Sequence, residues 1–395
     1  MTSLLRTRNA VAAAFALNGF CFATLATRLP DLRSGLGLDN GALGLLLLAI
    51  SAGSIVALPL SGRLIDRFGA AAVVRAGALC VAGGLAVAMT GAATGQVWLT
   101  AVGFFVDGVG IGIWDVSMNV EAAEVERQLG RTIMPRFHAG WSMGSIAGAA
   151  IGIPMAAVHA PLLLHVAGLA ALALVATWAA AATFLPAHVH QESAAGDGSS
   201  DAAVVSVSPW REPRTLAIGV MVLAFAISEG TANDWLSLGL IDGYGTAHWV
   251  GVAGFSLFVV SMTAGRLIGP PLLDRWGRVP VLGATAAASF VGCLLVVYGQ
   301  VGVVVVVGIV VWGLGAALGF PVGMSAAADD PRRSARRVST VSTIGYGAFL
   351  AGPPLLGQVG DRVGTLEALL AVAVVMVPAA LTVTAARPER VPAAR

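Results

Sequence analysis

The chain has 395 residues, 57% hydrophobic and only 11% charged, with a mean hydropathy of +0.84 and a formal net charge of +2. A soluble domain needs a charged surface that this composition does not supply, so the surface faces lipid, and charges this few and scattered give no footprint for a nucleic-acid partner. All 23 basic residues are Arg; without Lys there is neither a Walker A loop nor a Schiff-base amine, which leaves an ion gradient as the energy source for any active process.

A hydrocarbon core about 30 Å thick takes roughly 20 helical residues per crossing. In chain order the apolar runs predict helices over 9–28, 41–62, 72–92, 98–120, 134–156 and 161–185, then 212–240, 249–270, 279–298, 302–326, 338–358 and 365–386. Met1 to Asn9 carries Arg6 and Arg8 ahead of the first run, as a signal peptide would, but the length of that run and the many that follow predict a retained first helix. Between the sixth and seventh helices lies a Ser-, Gly- and acid-rich stretch with the composition of a flexible linker. The expected organisation is therefore an all-α membrane protein of twelve transmembrane helices in two pseudo-symmetric six-helix bundles, 1–186 and 211–395, joined by a cytoplasmic linker over 187–210. Cys21, Cys80 and Cys293 stand alone in apolar stretches, without the spacing of a disulfide framework or metal site, and neither a metal nor a cofactor is expected.

Arg placement gives the orientation. With both termini in the cytoplasm, every Arg except Arg28, Arg33 and Arg362 falls on the inner side, Arg266 being counted among the inner ones. The halves also repeat. Gly62 to Gly69 (GRLIDRFG) lies over Pro270 to Gly277 (PPLLDRWG), so an Asp-Arg-aromatic-Gly run follows the second helix of each half. Gly108-Val109-Gly110 matches Gly313-Leu314-Gly315, and Asn18-Gly19 matches Glu229-Gly230. Such matches at nearly one offset indicate a duplicated six-helix unit.

The GRLIDRFG loop and its echo LLDRWGR resemble the signature loop of the major facilitator superfamily, and the two-half layout extends the resemblance over the whole chain. Within it, Trp114 to Asn119 (WDVSMN), followed by Met134 to His138 (MPRFH), is similar to the fourth-to-fifth helix region of the fucose permease branch, whose sugar:proton symporter has an acid followed four residues later by Asn. That symporter's first-helix acid has no counterpart, since the register places Ala26 there. The resemblance implies transport by alternating access. Gly62, Asp66, Arg67 and Gly69, with Asp274, Arg275 and Gly277, then form paired turns that latch one conformation and release in the other, as opposed to plain topological anchors. The basic residues expected after Gly69 are replaced by Ala70 and Ala71, whereas Arg278 supplies one in the second copy.

Acids inside membrane helices are costly and usually face a cavity or a partner. Asp107, Asp115, Glu229 and Asp234 qualify as proton-coupling candidates, the alternative for each being an interhelical polar clasp. Asp115 and Asn119 are four residues apart and share a helix face, as do Glu229 and Asn233. The run SEGTANDW in the seventh helix suggests a locally opened helix lining a cavity. Trp114, Trp141, Trp235 and Trp312 offer flat apolar faces with an edge N–H, either for a solute ring or for simple packing; with Asn18, Asn119, His138 and Asn233 they complete the substrate-binding candidates. Gly140 to Gly144 (GWSMG) matches a nucleophile elbow in letters only, since it opens an apolar helix where Gly140, Gly144, Gly148 and Gly152 recur for close packing, and no enzyme is expected. The charged run Glu121 to Arg131 reads as a solvated cytoplasmic segment.

These features lead to a monomeric secondary transporter of the cell inner membrane, with the lipid bilayer, a small-molecule substrate and a proton as its partners. The expected activity is uptake of a small polar solute such as a sugar or sugar derivative. Proton-driven efflux of amphipathic compounds ranks second. Drug antiporters of the superfamily usually carry Arg where this chain has Phe104 and Gly-Pro where it has Gly148-Ala149. A non-transporting receptor ranks last, since it needs neither coupling acids nor paired latches. Acids mark the fourth and seventh helices while the tenth carries Gly313 and Phe320, so the solute and proton sites are expected to be asymmetric.

Overall fold

The structure is a computed structural model that describes residues 2–38, 40–185 and 208–389, so the expected linker lies almost wholly outside the described residues. All regular secondary structure among the described residues is helical. Twelve long helices follow one another: α1 (Thr2–Ala26), α2 (Asn40–Phe68), α3 (Ala70–Ala93), α4 (Val97–Leu129), α5 (Met134–Ala157), α6 (Leu162–Ala181), α7 (Pro213–Tyr244), α8 (His248–Trp276), α9 (Arg278–Tyr298), α10 (Gly302–Ala327), α11 (Ser334–Val363) and α12 (Thr365–Ala386). Ten are long and apolar enough to cross a membrane. The two that fall short on polarity, α5 and α11, are the fifth helices of their halves; Arg136, His138 and Ser142 dilute one, and Arg336, Arg337, Ser339, Thr340 and Ser342 the other.

Several helices outrun their predicted ends. Hydropathy marks where a helix leaves hydrocarbon, whereas Arg, Leu and Glu keep it wound beyond that point. Thus α2 runs on to Phe68, α4 to Leu129 and α8 to Trp276. This corrects two expectations. Glu121, Glu124 and Glu126 are not in a solvated segment but buried on the last turns of α4, where Glu121 accepts the N–H of Leu185 at 2.6 Å and Glu124 pairs with Arg127. Arg266 is not an inner-loop charge either: it stands about 15 Å short of the end of α8 at 1.5 Å per residue, buried.

Contacts divide the chain into two compact units, 1–130 with 137–200 and 330–339, and 131–136 with 201–329 and 340–395. In the first, Gly77, Gly84 and Gly91 of α3 recur every seven residues and meet Gly110, Gly103 and Thr100 of α4 in turn. A Cβ on Gly84 would stand 2.5 Å from the Asp107 nitrogen, and one on Gly77 would stand 2.8 Å from the Trp114 Cβ. Small residues let these backbones touch, which substitutes for the hydrophobic driving force that lipid removes. The glycine repeat of α5 serves α1 in the same way: Gly144 abuts the Ala16 carbonyl, Gly148 that of Phe20, and Gly152 the side chain of Thr27. Beyond the end of α1, buried Arg28 bonds Asp31, the His165 ring and the Ala160 carbonyl, fixing the short helix Leu29–Gly35 to the start of α6. In the second unit Gly292 of α9 and Gly308 of α10 form the corresponding seam.

Candidate functional site

The close α1–α5 approach brings three polar helix faces of the first unit together. His138 of α5 donates its Nε2–H to Asn119 Oδ1 on α4 at 3.2 Å; the carbonyl oxygen can only accept, which fixes the hydrogen on that ring nitrogen. The Asn119 amide donates to Asp115 twice, to the carbonyl at 2.9 Å and to carboxylate Oδ1 at 3.3 Å. All three side chains are buried. One turn along α5, Trp141 donates its indole N–H to Asn18 Oδ1 on α1 at 2.9 Å, and Phe22 lies against its ring with centroids 5.4 Å apart. The ring of Phe15 meets His138 edge-on at 5.0 Å. An imidazole, an amide and a carboxyl are thus held in line beside an aromatic face, a fixed array of proton-exchanging and hydrogen-bonding groups.

The other predicted residues of α4 lie apart from this array. Trp114 packs into the α3 seam, 1% exposed, with no partner for its N–H. Asp107 is 2% exposed and makes neither a hydrogen bond nor an ion pair among the described residues.

In the second unit Glu229 of α7 accepts a hydrogen bond from Arg266 of α8 at 2.9 Å, and the Arg266 Nε reaches the Ala317 carbonyl at 3.4 Å. That carbonyl lies where α10 breaks between Gly302–Ala316 and Gly319–Ala327. Trp312 is core: it donates to Ser228 Oγ at 2.9 Å and meets Phe258 edge-on. The SEGTANDW stretch widens rather than breaks, because α7 stays continuous through a π turn over Ala232–Leu236. Such turns insert one residue into the helix and often mark functional positions. Within it Asn233 and Asp234 are exposed, and Trp235 lies on Gly357 and Gly360 of α11. Among the described residues no hydrogen bond joins Asn233 to Glu229 despite their shared face.

The two Asp-Arg-aromatic-Gly turns have the same local geometry. Gly69 (φ 80°, ψ 157°) and Gly277 (φ 80°, ψ 168°) both occupy a backbone region that side chains avoid, and each starts the next helix at once. Arg67 lies over Phe68 at 5.2 Å and Arg275 over Trp276 at 5.5 Å. In the first unit Asp66 accepts from Arg336 Nε at 2.7 Å, and Gly62 faces the Ala335 and Arg336 backbone so closely that a Cβ would stand 2.9 Å away. In the second, Asp274 accepts the N–H of Thr132 at 3.0 Å. Arg278 binds Asp329 and Ser325, while its first-half counterparts Ala70 and Ala71 offer no such bond.

Sequence reasoning missed Arg266, Arg336, Ser228 and Phe15. Arg266 was detectable, since it falls inside a predicted helix; the others carry no local mark.

Twelve helices, two units and polar groups gathered inside them define a membrane transporter. Residues 11–254 and 241–395 match the sequence model of the Major Facilitator Superfamily, and the chain belongs to that family of transporters. It is 31% identical to the uncharacterized transporter y4wD of Sinorhizobium fredii over 389 residues, 94% of this chain and 98% of that one. It is 27% identical to membrane protein MosC of Rhizobium meliloti, over 92% and 86% of the two chains. In structure it is similar to the E. coli fucose:proton symporter FucP, with a TM-score of 0.78 over 97% of this chain and 98% of that one, a likeness of fold at 15% identity.

Proposed function

We propose that this transporter takes up a small polar solute, a sugar or sugar derivative, by alternating access with a proton as the coupling ion. It resides in the cell inner membrane with both termini cytoplasmic, the orientation that the Arg distribution favours. The observation that carries the reading is the His138–Asn119–Asp115 line beside the Asn18–Trp141 pair. A carboxyl shielded from water can take a proton at one face and give it up after the cavity reorients, and a neighbouring imidazole can exchange protons with it. Asp115 is the preferred carrier over Glu229, because Glu229 is already engaged in an ion pair with Arg266 at 2.9 Å. The Asp66–Arg336 and Asp274–Thr132 contacts are the proposed latches, since each must break for its loop to move.

Proteoliposomes loaded with the pH dye pyranine test the proposal. Adding a transported sugar outside should acidify the lumen in the wild type, and Asp115→Asn should abolish that response. No acidification with any of a set of neutral monosaccharides would exclude proton–sugar symport, and lumen alkalinisation on adding an amphipathic compound would point to efflux.

A further inference from the structure

A second polar site lies in the second unit, between the π turn of α7 and the middle of α11, and the array above does not use it. A small pocket there is lined by Gly230, Thr231 and Asp234 of α7 and by Phe349 and Gly352 of α11, with aliphatic side chains closing the rest. It admits a group about the size of a water molecule.

Its polar groups lack partners. Thr231 is 1% exposed, and its hydroxyl oxygen has no hydrogen bond, not even to the carbonyl one turn earlier that helical threonines usually find. The Asp234 carboxylate makes neither a hydrogen bond nor an ion pair among the described residues, and it is the sole charge lining the pocket. The chain's buried arginine of this region, Arg266, is already committed to Glu229. Opposite stands Phe349, whose ring lies 3.6 Å from where a Cβ on Gly230 would stand. Tyr346 supports that ring edge-on at 5.8 Å.

An anionic acceptor, a neutral acceptor and an aromatic ring around a water-sized space suit one kind of group. A primary ammonium has three donors for Asp234 and Thr231, and its positive charge is attracted to an aromatic face. A hard metal cation prefers a shell of six or more oxygens, whereas the lining here offers two oxygen-bearing side chains and otherwise apolar walls. The π turn borders this pocket: Asp234 stands within the turn and Gly230 just ahead of it, both among the lining residues. We propose that this pocket binds the protonated amine of a small solute, with the remainder of the solute outside it. The inference rests on the transport reading and names the substrate class within it: a polar solute that bears a primary amine.

Thermal melts of the purified protein in detergent test the site without any gradient. A ligand of the folded state raises the melting temperature in proportion to the logarithm of its concentration once the site is saturated. Ethanolamine should raise it, whereas ethylene glycol, which replaces the ammonium by a hydroxyl, and sodium chloride at equal ionic strength should not. Asp234→Asn should weaken the ethanolamine response by about tenfold or more in midpoint concentration, the equivalent of losing one charged contact. Gly352→Leu should abolish it by filling the pocket. Nothing lies within 4 Å of a Cβ at Gly352, and an unchanged melting temperature without ligand checks that the variant keeps the fold. Equal shifts with ethanolamine and ethylene glycol, a shift reproduced by sodium, or a response that survives Asp234→Asn would each overturn the proposal. The proton-flux result does not bear on this binding readout, so failure of the coupling reading and failure of the amine site are distinguishable.

Discussion

The Glu229 carboxylate and the Arg266 guanidinium meet at 2.9 Å inside the second unit, with side chains 14% and 4% exposed. Each is the other's charge compensation. Removing one alone breaks a buried ion pair, which costs about 3–5 kcal/mol, whereas removing both is far milder. Glu229→Gln and Arg266→Gln should therefore each lower the melting temperature by several degrees, and the double variant should recover most of the loss. Additive losses would mean that the pair is not coupled. If Glu229 were the proton carrier, Glu229→Gln would eliminate coupled flux even in the double variant.

Asn119 is the bridge of the first unit's array, bonded to His138 on one side and Asp115 on the other. Asn119→Leu keeps the volume and removes all three of its side-chain hydrogen bonds, at a cost of about 1–3 kcal/mol. Solute-driven acidification should fall at least about tenfold, the rate equivalent of about 1.4 kcal/mol. Asn119→Gln, which keeps the amide, should retain part of the activity. Equal flux in Asn119→Leu and wild type would remove the array from the mechanism.

The Asp66–Arg336 pair is solvent-exposed, 38% and 55% by side chain, so its worth to folding is at most about 1 kcal/mol. Its expected role is kinetic. Asp66→Asn should leave the melting temperature almost unchanged while altering the transport rate, and exchanging the charges (Asp66→Arg with Arg336→Asp) should restore the rate in part. A rate that is indifferent to both substitutions would reduce the turn to a topological anchor.

Adjacent glycines on α3 separate packing from propensity. Gly83 has nothing within 4 Å of a Cβ, whereas on Gly84 a Cβ would stand 2.5 Å from the Asp107 nitrogen. Gly83→Ala should be neutral or stabilising by up to about 1 kcal/mol, the helix preference for Ala. Gly84→Ala should destabilise by about 1–3 kcal/mol through overpacking. Thermal melts of the two single variants check the contrast.

How far the sequence reached follows from the range of the forces involved. Lipid solvation acts on each segment by itself, so the number and order of the membrane helices were legible from apolar runs, and duplication showed itself in the repeated Asp-Arg-aromatic-Gly turn. The four-residue step from Asp115 to Asn119 and the glycine repeat of α5 were equally local, because helical periodicity alone puts such residues on one face. Helix ends were less legible, since winding continues after hydropathy has fallen, and this is what misplaced Glu121; Arg266 fell inside its predicted helix and was misplaced by counting every Arg as a loop charge.

Only the tertiary structure could decide which faces meet. His138 reaches Asn119, Trp141 reaches Asn18, and Arg266 reaches Glu229 across gaps in sequence that carry no signal, because each pairing depends on how closely glycine-lined helices pack. For the same reason Trp114 and Trp312, indistinguishable by sequence from Trp141, became packing residues. The fold was written in the solvation of single helices, and the site in the contacts between them.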